Sequence, residues 1–558
     1  MTQVKKNSEL YRYVLDQTGK LKSYQGSRKE KYRWNLMLYE DTAAIDLDSV
    51  RSTVTVGFRR ANTQRNTTPD MSYNLIKSCI DTLQSMVEER GVRPFLNIKK
   101  GQYRDVRIAR IAQHFFDQYF DKIGLAKIVS STFKNSAIFD TGVLRIDGQE
   151  ILNALPWQVY TDPAEELYGE PTRLYYERKQ FPTSLVKDKI KEGQDSVTLG
   201  EYWDLKKKLY VRFYETGEMY SESWDKPIPF QKMYYSSPVL KGCNSIADQL
   251  RSIQFEVNFL LNAVKDASQK TNVNSVFMPK GAFVGAKKLS NGVGQIIEYD
   301  ATRLNSAPLT VATPPFADPE YMKTFEELKA NAAELSGVSQ LAQASLKPAG
   351  INSGKGLQTL EDIQAGRFES IFRSVVKLYV DLTILFVKLQ DPNEYILPDD
   401  NFSSNATWGE LANLMDKMKI QYAGTDAISK DPATKAQVIQ VYVQSGLVPQ
   451  EMIAQLLEVP DLDTSYSYMQ NSWNAVQTVI DNCLFADKFE VPPFVNFLLL
   501  SKEILNTQLL LFSAGPEKNI EDINKLTKLF QIVYKTNEQY ASLLQPPAPT
   551  EEEVPENV

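Results

Sequence analysis

The chain has 558 residues, 42% of them hydrophobic and 24% charged, which suits two to four globular domains with substantial cores and excludes a disordered polymer. A net charge of −6 gives no global attraction to nucleic acid. Three scattered cysteines, Cys79, Cys243 and Cys483, make no disulfide framework and fit a reducing site of synthesis.

The first residues hold no apolar run of signal-peptide length, and no stretch has the apolar length of a membrane span. Residues 494–511 come closest, but they contain Lys502 and Glu503. In chain order, residues 1–50 are polar and helical in character, with Tyr11, Tyr13 and Val14 early, and the basic run 28–33 reads as a solvated or partner-facing surface. Residues 72–92 make an amphipathic helix in which Leu75, Ile76, Cys79, Ile80, Leu83, Met86 and Val87 share a face. Ser72 or Asp70 is placed to cap its start and Gly91 to stop it. Pro94 keeps Arg93 extended. Helices follow over 105–120 and 125–139, the second breaking at Asp140, Thr141 and Gly142. Aromatic and β-branched residues at period two predict strands over 143–146, 157–160, 173–176 and 208–214. Residues 1–240 thus read as an α+β body, helices first and antiparallel sheet after.

A long helix is predicted over 244–270, where Ile246, Leu250, Ile253, Val257, Leu260, Leu261 and Val264 recur every three or four residues. The pattern then stops. Residues 271–315 are punctuated by glycine and proline, with short strands predicted at 276–278 and 295–299. A second helix starts near Pro319 and a third runs over 357–389. Between them, 346–356 carries three glycines and a proline, a composition that changes shape without breaking a core. Such an arrangement describes a rod with a working tip rather than a pocket. Beyond it, 391–408 is connecting chain, and helices are predicted over 409–417, 431–445, 449–457, 465–481, 493–511 and 518–543. The proline-rich acidic tail from Gln545 has the composition of a disordered segment. No internal repeat is visible.

Catalytic motifs are scarce. The single histidine, His114, lies in a helical run beside Phe115 and Phe116 and reads as structural, which leaves no base for a Ser–His–Asp or Cys–His nucleophile. One histidine and three dispersed cysteines offer no zinc chelate. Residues 349–356 imitate a Walker A loop, but Ala349 stands where glycine is needed and Gly356 where a Ser or Thr hydroxyl would bind magnesium. Asp147, Glu150, Asp162, Glu165 and Glu166 lie near aromatic residues and keep a carboxylate-dependent hydrolase open as an alternative. No cofactor is expected.

The order of these segments, with 74–76 leading to Arg93-Pro94 and the turn at 139–142 before a strand, resembles the portal proteins of tailed bacteriophages, particularly the short-tailed kind. The resemblance covers most of the chain and rests on its whole pattern, no part being a catalytic motif. It implies an α+β, mainly helical portal fold. Residues 1–243 would form the wing, 244–270 the first stem helix, 271–315 the clip and 316–338 the second stem helix. The tunnel loop would be 339–356, the long helix returning into the wing 357–430, the helical wing and crown 431–544, and the tail 545–558. The short clip and the acidic tail depart from the general family pattern.

The resemblance further implies a dodecameric ring at one capsid vertex of the virion, made in the host cytoplasm. That ring nucleates the procapsid, docks the packaging motor, packages and retains the genome, attaches the tail and releases DNA, with no enzymatic activity of its own. Its partners would be further copies of itself, the major capsid protein, the terminase large subunit, tail adaptor proteins, scaffolding or internal core proteins, and double-stranded DNA passing without sequence specificity, with no membrane. Lys347 and Lys355 are candidates for transient contact with the DNA backbone, Glu326, Glu327 and Glu334 for lowering adhesion, and Lys280, Lys287 and Lys288 for the clip interface. Twelve copies of −6 would carry about −72, a charge that repels a DNA backbone unless cations screen it. Neighbouring subunits are expected to cover the apolar sides of the two central helices, so that Leu250→Asp with Val257→Asp blocks assembly. A different head–tail adaptor or a scaffold oligomer is the second alternative.

Overall fold

A computed structural model describes residues 2–6, 8–44, 55–56, 71–89, 92–98, 103–183, 196–215, 217–236, 244–271, 276–279, 296–299, 319–337, 354–396, 406–415, 418–424, 463–492, 495–515 and 519–544. Strand β1 (Thr2–Gln3) precedes helices α1 (Glu9–Tyr24) and α2 (Gly26–Glu40). The Ser8 hydroxyl caps α1 by accepting from the Tyr11 amide at 3.2 Å. Asp41 ends α2 in a left-handed conformation, and β2 (Thr42–Ala44) pairs antiparallel with β3 (Thr55–Val56). The predicted amphipathic helix is α3 (Leu75–Glu89), its apolar face buried. Ser72 does not cap it. Asn74 Oδ1 accepts from the Lys77 amide at 2.9 Å, and Ser72 donates to Asp41 instead, while Asp70 lies outside the described residues. After β4 (Val92–Ile98) come α4 (Tyr103–Lys122) and α5 (Leu125–Phe139).

The sheet region holds β5 (Thr141–Asp147), β6 (Glu150–Ala154), β7 (Val159–Thr161), α6 (Pro163–Tyr168), β8 (Arg173–Pro182), β9 (Ser196–Asp204), β10 (Leu209–Tyr214), β11 (Met219–Ser223) and β12 (Phe230–Tyr234). All four predicted strands are present, except that Trp157 and Gln158 form a single 3-10 turn begun by Pro156. Strand β9 lies outside the predicted strands: Ser196 to Leu199 alternate, but the pattern breaks at Gly200 and at the buried carboxylates Glu201 and Asp204. Helix α7 (Ile246–Thr271) leads to β13 (Val276–Pro279) and β14 (Ile296–Tyr299), a parallel pair, and then to α8 (Pro319–Ser336) and α9 (Gly354–Leu389). The chain continues through α10 (Trp408–Leu414), β15 (Met418–Gly424), α11 (Asp463–Ala486), α12 (Phe497–Ala514) and α13 (Ile520–Leu544). One helix was expected over 409–417; α10 stops at Leu414 and β15 follows. The predicted helices at 431–445 and 449–457, and the tail, lie outside the described residues.

The chain divides into two compact units of mixed helix and sheet, predominantly helical overall. The first comprises 1–89 and 123–389, the second 90–122 and 390–558, so β4 and α4 belong with the C-terminal half. The first unit contains an antiparallel six-stranded sheet, β1-β11-β10-β9-β8-β7, and a three-stranded sheet, β12-β5-β6. Val143, Val159, Leu174, Trp203 and Phe230 form one core, and Val14 and Leu21 of α1 join Tyr175, Tyr202 and Val211 in another. Gly142 in β5 is required by packing: a Cβ there would meet the Thr132 carbonyl oxygen of α5 at 2.2 Å. The basic run 28–33 is not simply a solvated surface. Lys31 pairs with Asp140 at 3.2 Å and with Asp248 at 2.8 Å, and Arg28 also turns toward buried Asp140.

A second correction concerns α7. Ile246, Leu250, Val257 and Leu260 are buried within the chain itself, where α7 packs on α2, α3, α5 and α8. Spacing identifies an apolar face but not what covers it. Leu250→Asp and Val257→Asp are therefore folding lesions rather than tests of assembly.

In the second unit β4 and β15 form an antiparallel ribbon, with α4 against β4. Phe115 and Phe116 of α4 stack edge-on to Trp408. Helices α11, α12 and α13 bury Val476, Ile480, Cys483, Leu500, Ile504, Leu526, Leu529 and Val533 against one another. Among the described residues no helix is long and apolar enough to cross a membrane.

Candidate functional site

The part of the fold that matches the predicted rod is the pair α7 and α8 with β13 and β14 at its end. Helix α7 starts on a reciprocal cap: the Ser245 hydroxyl accepts from the Asp248 amide at 3.1 Å, and Asp248 Oδ2 accepts from the Ser245 amide at 3.1 Å. Further along, Gln254, Asn258 and Asn262 stand four residues apart on one face and hold the extended backbone before α3. Gln254 Nε2 donates to the Tyr73 carbonyl at 2.7 Å while its Oε1 accepts from the Leu75 amide at 2.8 Å. Asn258 Oδ1 accepts from the Tyr73 amide at 3.0 Å. Asn262 accepts from the Met71 amide at 2.8 Å and donates to the Met71 carbonyl at 2.9 Å. This amide ladder treats residues 71–75 as a strand edge. The sequence signal was available: three amides at helical spacing inside an otherwise apolar repeat.

The ladder also fixes α8. Phe325 is buried edge-on to Tyr73 with ring centroids 5.7 Å apart, and Lys329 lies over both rings. Ala332 and Ala333 complete the buried face of α8. What remains outward has two characters. Phe255 and Phe259, one turn apart on α7, are 44% and 55% exposed, and Tyr321, Met322 and Leu335 of α8 are also exposed. Glu320, Glu327 and Glu334 are exposed on α8 at seven-residue intervals, each about 10.5 Å from the next along the axis. Glu326 flanks this line, paired with Lys329 at 3.2 Å, and Lys323 approaches Glu327 at 3.8 Å. The candidates Glu326, Glu327 and Glu334 thus share an exposed acidic side, to which Glu320 adds a member that sequence reasoning missed.

At the tip, β13 and β14 pair with Val276 opposite Ile296 and Pro279 opposite Tyr299, where strands were predicted. Lys280, Lys287, Lys288 and Lys347 lie outside the described residues. Lys355 lies in the first turn of α9, which begins at Gly354, so the expected loop over 339–356 ends three residues early. Glycine costs about 1 kcal/mol per helical position, a penalty that the 36-residue helix absorbs at its end.

Of the five carboxylates kept open for hydrolysis, Glu150 is exposed at the start of β6 and the other four are engaged elsewhere. Asp147 pairs with Arg145 at 3.1 Å; Asp162 caps α6 and, with Glu165, pairs with Arg173; Glu166 bonds Lys232 and Thr161. Burial opposes the charge on Glu166, yet Lys232, Thr161 and Arg28 hold its carboxyl below the usual range, and Thr172 and Arg173 do the same for Glu165. A general acid needs the opposite shift. Cys79 and Cys483 are buried and outside any disulfide, with burial pushing the Cys483 thiol up to about 11. Among the described residues no group of three or more His, Cys, Asp or Glu is placed to hold a metal ion.

No model of a known protein family matches the chain, and no curated protein matches it. The functional reading therefore rests on the physical character of the strut.

Proposed function

We propose that the chain is a portal protein, a subunit of a ring that conducts double-stranded DNA through one vertex of a bacteriophage capsid, with wing, stem, clip and crown in the order given above. The observation that carries this reading is the α7–β13/β14–α8 strut: two helices locked to the body at one end and joined through a small parallel β-module at the other. Its outer surface is divided between aromatic side chains and a line of glutamates. Isolated aromatic rings on a helix that already has a buried face suit contact with a neighbouring copy. Glutamates at seven-residue intervals suit a wall past which a polyanion slides without sticking.

In this reading twelve copies close head to tail, each contributing one strut to the channel. The ring docks the terminase, binds the major capsid protein and tail adaptors, and moves DNA without chemistry of its own. Lys347 and Lys355 make transient contacts with phosphates; Lys280, Lys287 and Lys288 serve the clip interface. The closest competing reading is a head–tail adaptor or scaffold oligomer. Negative-stain imaging of the purified full chain tests the proposal. Rings with a central opening that admits duplex DNA support it, and compact particles without an opening reject it.

A further inference from the structure

Helix α12 carries two apolar seams, and among the described residues only one is packed into a core. Leu500, Ile504 and Leu511 face the core shared with α11 and α13. On the other side Leu498, Leu505, Leu509 and Phe512 are 64%, 49%, 66% and 63% exposed. With Lys502 these positions follow a 4-3-4-3 spacing, that of a seam built to receive another helix. The stripe runs about 21 Å along the axis. Its flanks, Ser501, Asn506, Gln508 and Ser513, are uncharged, and Glu503 is turned inward to Arg110 and Gln477. Gln508 donates to Thr527 of α13 at 3.1 Å, so the outward surface of α12 continues onto α13, where Ile520 and Tyr534 are also exposed.

We infer that this stripe is a contact between copies of the chain: α12 of one copy docks on the three-helix unit of its neighbour. The size of the stripe selects that occupant. A four-residue apolar patch offers a few hundred Å², well under the roughly 800 Å² per partner that holds a stable complex. A separate protein gripping this seam alone would dissociate. A neighbouring copy already held by other surfaces would not, because its effective concentration is set by the assembly. Lys502, the one charged side chain in the seam, fixes register as a single polar residue does in a coiled coil. The inference rests on the ring reading, but it names a second, separate surface.

The test uses the full chain with a photoreactive benzoylphenylalanine at position 509, and in parallel the double variant Leu505→Asp, Leu509→Asp. Assembly of the unlabelled parent is measured first; a parent that stays monomeric rejects the ring reading, and this inference with it. In an assembling parent, the expected result is a crosslinked product of two chains. The double variant should keep the parent's circular dichroism and need about tenfold or more higher concentration for half-assembly. A crosslink confined to one chain, a crosslink to a foreign protein, or a double variant that assembles like the parent overturns the inference while leaving the ring reading standing.

Discussion

Arg145 and Glu201 tie the two sheets of the first unit together. Arg145 Nη1 donates to Glu201 Oε2 at 2.5 Å and Nη2 donates to Oε1 at 3.1 Å, joining β5 of the three-stranded sheet to β9 of the six-stranded one. Both side chains are buried, and Tyr176, Trp203 and Phe230 surround the guanidinium. Arg178 and the Tyr210 hydroxyl donate to the same carboxylate at 2.9 and 2.7 Å. Burial works against the charge on Glu201, but Arg145 and Arg178 outweigh it and hold the carboxyl below its ordinary range.

Glu201→Gln takes the shared counter-charge from buried Arg145 and half-buried Arg178, leaving Arg145 only the exposed Asp147, and should cost about 3–5 kcal/mol in denaturant unfolding. The sign of the pH effect follows from the depressed carboxyl. Its stabilisation is fully present above the unfolded glutamate value, about 4.3, and is lost as pH falls through the folded value. Thermal unfolding followed from pH 7 into the acid range should therefore fall less steeply for Glu201→Gln than for the parent.

The amide ladder makes a local prediction. Gln254→Ala removes the partners of the Leu75 amide and the Tyr73 carbonyl, and should cost about 1–3 kcal/mol. Hydrogen exchange at Leu75 should accelerate strongly while α11 to α13 stay protected. Unchanged exchange there would mean that the ladder does not hold the segment.

The strut offers paired substitutions with opposite outcomes. Leu250→Asp places a charge in the chain's own core and should abolish folding. Phe255→Ser with Phe259→Ser should leave circular dichroism and melting nearly unchanged but weaken assembly by about tenfold or more in concentration. An assembly indifferent to both phenylalanines removes α7 from the interface.

The acidic line predicts a gain of adhesion. Replacing Glu320, Glu327 and Glu334 together by Lys should make the assembled protein retain duplex DNA at low salt, with retention falling steeply as salt rises. The parent should bind weakly under the same conditions. If the triple variant behaves like the parent, the line does not face the DNA path.

Much of the element order was legible because it depends on local pattern. The apolar repeat of α7, the proline that opens α8 and the period-two aromatics of β8 and β10 each declare themselves within a few residues. Strand β9 did not, because Gly200 and the buried carboxylates Glu201 and Asp204 interrupt its apolar pattern. Strand β15 did not, because its partner β4 lies more than three hundred residues earlier. The caps were misassigned by one local choice, Asn74 rather than Ser72. The largest error was of another kind. The face of Leu250 and Val257 was correctly read as apolar, but an apolar face is silent on whether the same chain or another copy covers it. Only three-dimensional packing separates that face from Phe255 and Phe259, which stay exposed.

The central claim is that copies of this chain close into a ring, and mass tests it most directly. Native mass measurement of the purified full chain across a wide concentration range should show a discrete species near twelve times 63.4 kDa, about 760 kDa, with few intermediates because a closed ring gains its last interface at once. A species that stays at 63.4 kDa throughout, or an open-ended series of growing oligomers, would contradict the account.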